Sequence, residues 1–205
     1  QPMHGLFYSG DAYVVRLMYT DSRGKGRAAI YEWHGKKSSQ SSQMAASQHV
    51  LECDGALGSI ATIIRCGQDA EPAHFLGLFE GKMVVRDGSA ATALGQSTKD
   101  TDGYALFHVK GTGEQGAARA VQVPRTASSL SSSDCFVLQR PGAVHVWHGS
   151  SASADEHAVA TSVAHAVSSR LQIAAAAVVA ANGSSPAPAV AALAPSPAAN
   201  GDAGP

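Results

Sequence analysis

A glycine-rich segment is the part of this sequence that most resembles a catalytic motif. Gly111 to Gly116 (GTGEQG) fit the GxGxxG pattern of loops that bind dinucleotide phosphates. That pattern requires a helix directly after the loop, whereas Ala118 to Val123 (ARAVQV) is typical of a strand. The segment therefore predicts a glycine-rich hairpin. A small α/β nucleotide-binding enzyme remains the alternative.

The cysteines and histidines show no metal-binding or catalytic pattern. Cys53, Cys66 and Cys135 form no CxxC pair and fall in or beside segments that are predicted to pack. We interpret them as small core residues, and their odd number favours a reducing compartment such as the cytoplasm. The nine histidines are dispersed, with no HExxH motif and no paired Cys/His spacing. The sequence therefore predicts no zinc site.

Charge and hydropathy argue against several other roles. The 205 residues carry 15 Lys and Arg against 16 Asp and Glu, so no broad positive field draws the chain onto nucleic acid. The longest apolar run, 173–181 (IAAAAVVAA), is about half of the roughly 20 residues that a membrane-spanning helix needs. We expect no transmembrane segment, and the absence of an initiator Met predicts a fragment.

Residues 1–88 predict a mixed sheet packed with one long and one short helix. A hairpin of 12–19 (AYVVRLMY) and 27–33 (RAAIYEW) comes first, and 38–54 has the apolar spacing of an amphipathic helix. The elements that follow are a strand at 60–65, a short helix at 72–79 and a strand at 82–86. The predicted fold class is α/β, of the α+β mixed-sheet type.

The pattern starts again after 89–103, a stretch of small and polar residues that we interpret as a linker. Short strands are predicted at 104–109, 118–123, 135–138 and 144–147, with a long Ala-rich helix at 153–171. No strand is predicted after that helix, so we interpret 104–172 as an incomplete unit. We interpret 173–205 as an Ala/Pro-rich low-complexity tail, disordered from Asn182 onward.

Two parts of the sequence repeat each other. Gly10-Asp11-Ala-Tyr-Val-Val matches Ser133-Asp134-Cys-Phe-Val-Leu. Ile30-Tyr-Glu-Trp33-His-Gly35 matches Val144-His-Val-Trp147-His-Gly149. Each copy runs from Asp through a strand, a turn and a second strand to Trp-x-Gly and then a helix. Repetition of this kind indicates duplicated domains.

These motifs resemble the gelsolin/villin superfamily over about residues 6–170. The segments 7–15 (FYSGDAYVV), 70–76 (AEPAHFL) and 119–138 are most similar to the fourth and fifth domains of six-domain members, with the first and second nearly as similar. The resemblance implies two gelsolin-like domains, each with a mixed sheet between a long helix parallel to the strands and a short helix across them. We expect the first domain to lack its first strand, before Leu6, and the second to lack its end.

The resemblance also implies a function. It implies severing, capping or side binding of actin filaments, regulated by Ca²⁺ and sensitive to phosphoinositide lipids, in the cytoplasmic actin cytoskeleton. It implies no enzymatic activity. A degenerate, non-functional fragment is a further alternative, because both domains are predicted to be incomplete and open sheet edges promote aggregation.

In the second unit the resemblance implies an intact calcium site. Calcium binds several hard oxygen ligands, which distant segments can supply together. The matching positions are the Ser133 carbonyl, the Asp134 carboxylate and Glu156, which lies nine residues after Trp147. Ser153-Ala-Asp-Glu156 is also a capping box, in which Glu156 completes the helix start. Both roles remain open.

In the first unit the same pattern is incomplete. The Gly10 carbonyl and Asp11 match it, but Ser42 stands nine residues after Trp33, where the family has Glu. Because calcium affinity depends on ligand charge and number, we expect this site to be weak or empty. Asp11 is alternatively an ordinary strand-end or turn residue.

A third calcium ion, shared with actin, is implied at the end of the first long helix. The matching positions are Asp54, the Ser59 carbonyl and Glu71. Taken one at a time, Asp54 and Glu71 would be interpreted as ordinary solvated surface charges.

The implied actin-facing surface is on the first long helix, at Met44, Gln48 and Leu51. Gln48 stands where the family buries an apolar anchor. Burial of an unpaired polar group costs about 1–3 kcal/mol, so we expect weakened actin binding. Lys36 and Lys37 belong to a modest basic set that could meet phosphoinositide head groups, with a solvated turn as the simpler interpretation.

Overall fold

The structure, a computed structural model, describes residues 5–91, 103–111, 117–170 and 178–182. Its elements are β1 Leu6–Tyr8, β2 Ala12–Thr20, β3 Gly26–His34, α1 Gln40–Ala56, β4 Thr62–Gly67, α2 Ala73–Gly77, β5 Met83–Arg86, β6 Ala105–Gly111, β7 Ala118–Val123, β8 Cys135–Arg140, β9 Ala143–His148, α3 Ala154–Arg170 and β10 Val178–Asn182. Every helix and strand predicted from the sequence is present within a few residues. The glycine-rich residues 112–116 and most of the predicted linker lie outside the described residues.

The strands form two mixed sheets, which confirms the α/β class. The smaller sheet has the order β2-β3-β4, with β2 antiparallel and β4 parallel to β3. The larger has the order β1-β5-β7-β6-β8-β9-β10. Within it, β1 and β7 both pair in parallel with β5, whereas β6 pairs antiparallel with β7 and β8.

The larger sheet joins strands from both predicted units. β5 pairs with β7 from Met83↔Arg119 to Val85↔Val121. Met83 and Val85 pack with the first-unit core, whereas Val84 packs with the second-unit core, because successive side chains of a strand point to opposite faces. The division into 1–88 and 104–172 stays a prediction, since the sheet continues across it.

β10 corrects one prediction. The sequence predicts no strand after the second long helix, yet Val178–Asn182 pairs in parallel with Val144–His148 of β9. Two factors explain the strand: its first two residues are β-branched valines, and β9 offers a free edge on the side away from β8. The predicted disorder after Asn182 concerns 183–205, which lie outside the described residues.

The helices cover the sheets with different amounts of apolar surface. α3 buries Ala160, Val163, Ala164 and Val167, a spacing that gives one apolar helix face, against the larger sheet. α1 packs against β2 and β3 and buries Ala46 and Val50. The two buried residues of α2, Phe75 and Leu76, pack beside Phe7 and Trp33. No helix in the described ranges is long and apolar enough to cross a membrane.

Candidate functional site

The repeated sequence motifs have the same backbone geometry. The Gly35 N–H donates to the Asp11 carbonyl at 3.0 Å, and the Gly149 N–H donates to the Asp134 carbonyl at the same distance. Each long helix therefore starts beside the Asp at the beginning of its hairpin. This is the arrangement that both predicted intradomain calcium sites require.

Glu156 caps α3. Its Oε2 accepts hydrogen bonds from the backbone N–H and the hydroxyl of Ser153, at 2.8 and 2.9 Å. The Ser153 hydroxyl in turn accepts from the Glu156 N–H at 3.2 Å. These reciprocal bonds form the capping box that the sequence indicates. In this state the Glu156 carboxylate is engaged in the cap.

Asp134 precedes β8 and is held as a carboxylate. Its Oδ2 accepts from the Ser133 hydroxyl at 3.1 Å, and its Oδ1 lies 3.3 Å from His108 Nε2. Burial opposes ionisation, but hydrogen bonds from Ser131, His108 and Ser133 outweigh it and lower the pKa of the Asp134 carboxyl below its ordinary value. An ionised carboxylate is the form that calcium requires.

Asp134 and Glu156 have separate hydrogen-bond partners. His108, which contacts Asp134, stacks on Phe136, and Phe136 packs on the sheet face away from α3. Asp134 thus contacts residues of the sheet and its preceding turn, whereas Glu156 contacts Ser153 at the start of α3. Burial raises the pKa of the Cys135 thiol to about 11, and both carboxylates contribute to this increase.

In the first copy the structure does bring the matching positions together. Asp11 and Ser42 line one cavity of about 430 Å³ between β2 and α1. The Asp11 Oδ2 accepts from the Ala90 N–H at 2.8 Å and from the Tyr13 hydroxyl at 3.3 Å. Ser42 donates its N–H to the hydroxyl of Ser39, the N-cap of α1. Gly10, the predicted carbonyl ligand, donates its N–H to the Gly88 carbonyl at 2.7 Å.

Asp54 and Ser59 are in contact at the end of α1, whereas Glu71 lies beyond the other end of β4. The Asp54 Oδ1 accepts from the Ala61 N–H at 3.0 Å, and the Asp54 carbonyl accepts from the Ser59 N–H at 2.8 Å. Ala61 precedes β4, whereas Glu71 follows it. A six-residue strand is about 20 Å long. The calcium set of Asp54, Ser59 and Glu71 is therefore split across the two ends of β4.

Glu71 is a buried structural residue, so its interpretation as a solvated charge is wrong. Its side chain is fully buried; Oε1 accepts from the Trp33 indole N–H at 2.9 Å, and Oε2 lies 3.2 Å from Arg119. Arg119 also reaches Asp69 at 3.1 Å. The ion pair joins the segment after β4 to β7. Nothing in the sequence links positions 71 and 119, and for that reason the sequence analysis missed this role.

The predicted actin-facing residues form an exposed face on α1. Met44 is 65% exposed and Leu51 is 62% exposed. With Gln48 they border a cavity of about 430 Å³ that Arg65 also lines. Gln48 donates to Glu52 at 3.2 Å, so its amide already has a partner on the helix.

A buried carboxylate below this face was not predicted. Glu32 in β3 accepts from the Ser47 hydroxyl at 2.5 Å, and it also contacts His34 and Arg65. Burial opposes its ionisation, but these hydrogen bonds outweigh burial and lower the pKa of Glu32 below its ordinary value of 4.5. The available sequence signal was a Glu inside the otherwise apolar strand AAIYEW.

The remaining predicted residues have simple environments. Lys36 pairs with Asp69 at 2.5 Å and Lys37 with Asp87 at 2.6 Å, so both predicted phosphoinositide contacts already have anionic partners. Exposed ion pairs of this kind are worth about 0–1 kcal/mol. The helix that a GxGxxG dinucleotide loop requires is replaced by strand β7, as predicted.

Comparison with known proteins now identifies the class. A family model described as the gelsolin repeat matches residues 1–76 and 116–187. The chain is 38% identical over 169 residues to cytoplasmic gelsolin of Homarus americanus, covering 80% of this chain and 22% of the relative. It is 33% identical to advillin of Mus musculus, covering 77% and 19%, and 40% identical to gelsolin of Xenopus laevis, covering 71% and 34%.

The chain therefore belongs to the gelsolin/villin superfamily. It spans about a fifth to a third of the length of these relatives. Among solved structures, "Crystal Structure of the Thorarchaeota 2DGel3/rabbit actin complex" aligns with 87% of this chain and 84% of its own at 23% identity. Its TM-score of 0.35 is too low for the likeness to support an argument.

Proposed function

We propose that this chain is a non-enzymatic, calcium-regulated module that binds actin filaments as part of a gelsolin/villin-type protein. The proposed activity is filament severing, end capping or side binding. The observation that carries the proposal is the exposed apolar face of α1. Met44 and Leu51 together border an open cavity instead of packing on the sheet. Large apolar side chains grouped beside a cavity are typical of a surface that a partner covers.

The proposed contact is a helix-in-groove interaction. Met44, Gln48 and Leu51 lie at i, i+4 and i+7, which places them on one side of α1. Met44 and Leu51 supply apolar area, while Gln48 can keep its bond to Glu52 at the margin of the contact. The expected result is binding that is real but weaker than with an apolar residue at position 48.

Calcium control is proposed through the carboxylates at the two hairpin starts. Asp134 with Ser133 and Glu156 is the stronger candidate, because it offers two carboxylates. The Asp11 site with Gly10 has one and is expected to be weak. Asp54 and Ser59 remain candidates for an ion shared with actin, with Glu71 excluded by its distance from them.

Co-sedimentation of the full chain with actin filaments, in calcium and in chelator, tests the proposal. We expect pelleting with filaments in at least one condition. Leu51→Glu, which places a charge in the apolar face, is expected to reduce the bound fraction at least tenfold. The matched control His165→Glu adds the same charge to an exposed position of α3 and is expected to bind like the original chain.

Failure to pellet in both conditions contradicts actin binding. Equal loss in Leu51→Glu and His165→Glu contradicts the α1 face as the contact and points to a general charge effect. A difference between calcium and chelator that persists undiminished in Asp134→Asn contradicts Asp134 as the main calcium ligand and assigns the effect to the Asp11 or Asp54 site. Cytoplasmic location and phosphoinositide sensitivity remain part of the proposal, the second through Lys36 and Lys37 in competition with Asp69 and Asp87.

A further inference from the structure

Three metal-binding side chains converge where α3 packs on the larger sheet. Cys135 is the first residue of β8, and His148, the last of β9, is its direct cross-strand partner. His157 lies in the first turn of α3, above this pair. The sequence analysis predicted no paired Cys/His site, because these residues are far apart in sequence. The hairpin and the helix bring them together.

The distances fit one tetrahedral metal ion. Zinc bonds of about 2.3 Å to sulfur and 2.0–2.1 Å to nitrogen require a sulfur-to-nitrogen separation of about 3.6 Å. The Cys135 Sγ lies 3.5 Å from His148 Nδ1. One ligand atom from each of the three residues lies within 4.8 Å of the others. Small side-chain rotations are enough to close the set around an ion.

The surroundings leave these groups available. Cys135 is fully buried, and the rings of His148 and His157 lie 4.4 Å apart. The buried Nε2 of His157 has no hydrogen-bond partner among the described residues. A buried polar atom without a partner is unfavourable, and a bond to a metal ion would satisfy it. Both histidines are half-buried, so the ion has a path from solvent.

We propose that Cys135, His148 and His157 form a zinc site, distinct from the calcium sites proposed above. The ligand chemistry supports this choice, because one thiolate and two imidazoles favour zinc, whereas calcium binds oxygen. Zinc binding releases the Cys135 proton to solvent and forms one Zn–S and two Zn–N bonds, with water in the fourth position. The site ties the start of α3 to the β8–β9 hairpin.

The first copy provides an internal comparison. The positions that match Cys135, His148 and His157 are Ala12, His34 and Gln43 in the repeat alignment. The first copy thus retains one of the three ligands, and His34 is bonded to Glu32 at 2.8 Å. The proposed site belongs to the second copy.

Titration of the reduced, metal-free full chain with Co²⁺ tests the site. We expect the visible bands of tetrahedral cobalt, a near-ultraviolet sulfur-to-cobalt charge-transfer band, and displacement of both by Zn²⁺. Cys135→Ser is expected to abolish the charge-transfer band. His157→Gln and His148→Gln are each expected to weaken affinity at least 10- to 100-fold, the range for disturbing even the outer shell of a metal site.

Two control variants separate this site from the other thiols and imidazoles. Cys53→Ser removes the thiol near His49, and His165→Gln removes an exposed imidazole of α3; both are expected to bind cobalt like the original chain. Metal-free circular dichroism and melting show which variants fold. If Cys135→Ser does not fold, His157→Gln decides. The proposal is overturned if His157→Gln binds cobalt as tightly as the original chain. It is also overturned if the original chain shows no charge-transfer band, or if Cys53→Ser loses that band.

Discussion

The two copies of the repeated motif share their backbone and differ in what their helices cover. In the first copy the Lys37 N–H donates to the Ser9 carbonyl at 2.8 Å, and in the second the Ser151 N–H donates to the Ser132 carbonyl at 2.9 Å. These residues occupy matching positions in the two repeats. α1 and α3 are both 17 residues long. The common scaffold therefore fixes the start of each helix, whatever the helix then packs against.

Beneath the helices the copies diverge. α3 covers Val146 in β9, whereas the matching residue beneath α1 is Glu32, bonded to Ser47 and Arg65. At this position the contact beneath α3 is apolar, whereas a buried polar network lies beneath α1, below its exposed apolar face. The difference teaches that one repeat can specialise in internal packing while the other keeps its apolar side chains for a partner.

The largest expected effect on stability comes from disrupting the close backbone approach at Gly35 and Gly149, which both copies share. A Cβ at Gly35 would lie 2.3 Å from the Ser9 carbonyl oxygen, and one at Gly149 would lie 2.4 Å from the Ser132 oxygen. Both neighbours are backbone atoms, which cannot rotate away. We expect Gly35→Ala and Gly149→Ala each to lower the free energy of unfolding by about 3 kcal/mol, measured by urea unfolding.

Gly55→Ala is the matched control for these variants. A Cβ there has no atom within 4 Å among the described residues, and the position is inside α1. Gly55 is the next-to-last residue of α1, so its replacement by Ala is expected to stabilise by less than the roughly 0.5–1 kcal/mol of a helix-interior position. A loss in Gly35→Ala or Gly149→Ala no larger than the change in Gly55→Ala would show that the close backbone approach is not required.

The next effect tests what distinguishes the first copy. Glu32→Gln removes the charge that receives hydrogen bonds from Ser47, His34 and Arg65, with an expected loss of about 1–3 kcal/mol at pH 7. Because folding lowers the pKa of Glu32, its contribution is complete above its ordinary value of 4.5 and is lost as pH falls through the folded value. Thermal melting from pH 7 to pH 3 measures this.

The melting curves of the original chain and of Glu32→Gln should therefore converge at acid pH. A constant gap across the range would contradict the assignment of the effect to the Glu32 charge. Val146→Ala in the second copy is a useful contrast. It is also expected to destabilise, by cavity formation, but with no added dependence on pH.

The sequence predicts the elements well because each of them is local. The β-branched and aromatic residues of β2 and β3, and the spacing of Ala160, Val163 and Val167 in α3, are sufficient to place strands and helices. β10 escaped prediction because an Ala-rich segment has no strand pattern of its own. It depends on the edge that β9 presents.

The sites are predicted less well because they depend on long-range contacts. Asp11 and Ser42 line one cavity and belong to one repeat, so the repeat pattern alone relates them, and their role in calcium binding stays a prediction. Glu71 was misplaced because its partner, Arg119, lies across the sheet that joins the two predicted units. The cluster of Cys135, His148 and His157 becomes visible once the β8–β9 register is known. Knowledge of pairing, more than of composition, was the missing information.

The smallest expected effect on stability comes from exchanging the residue types at the third position after each helix N-cap, Ser42 in α1 and Glu156 in α3. Glu156 completes a capping box with Ser153, whereas Ser42 leaves the Ser39 cap without a carboxylate. We expect Ser42→Glu to raise, and Glu156→Ser to lower, the free energy of unfolding by about 0.5–1 kcal/mol, measured by thermal melting in chelator.

Ser42→Glu also places a second carboxylate in the cavity that Asp11 lines, so calcium should raise its melting temperature more than that of the original chain. If Ser42→Glu stabilises in chelator but calcium adds nothing, position 42 affects the helix cap and not a metal site, and the difference between the copies is one of capping alone.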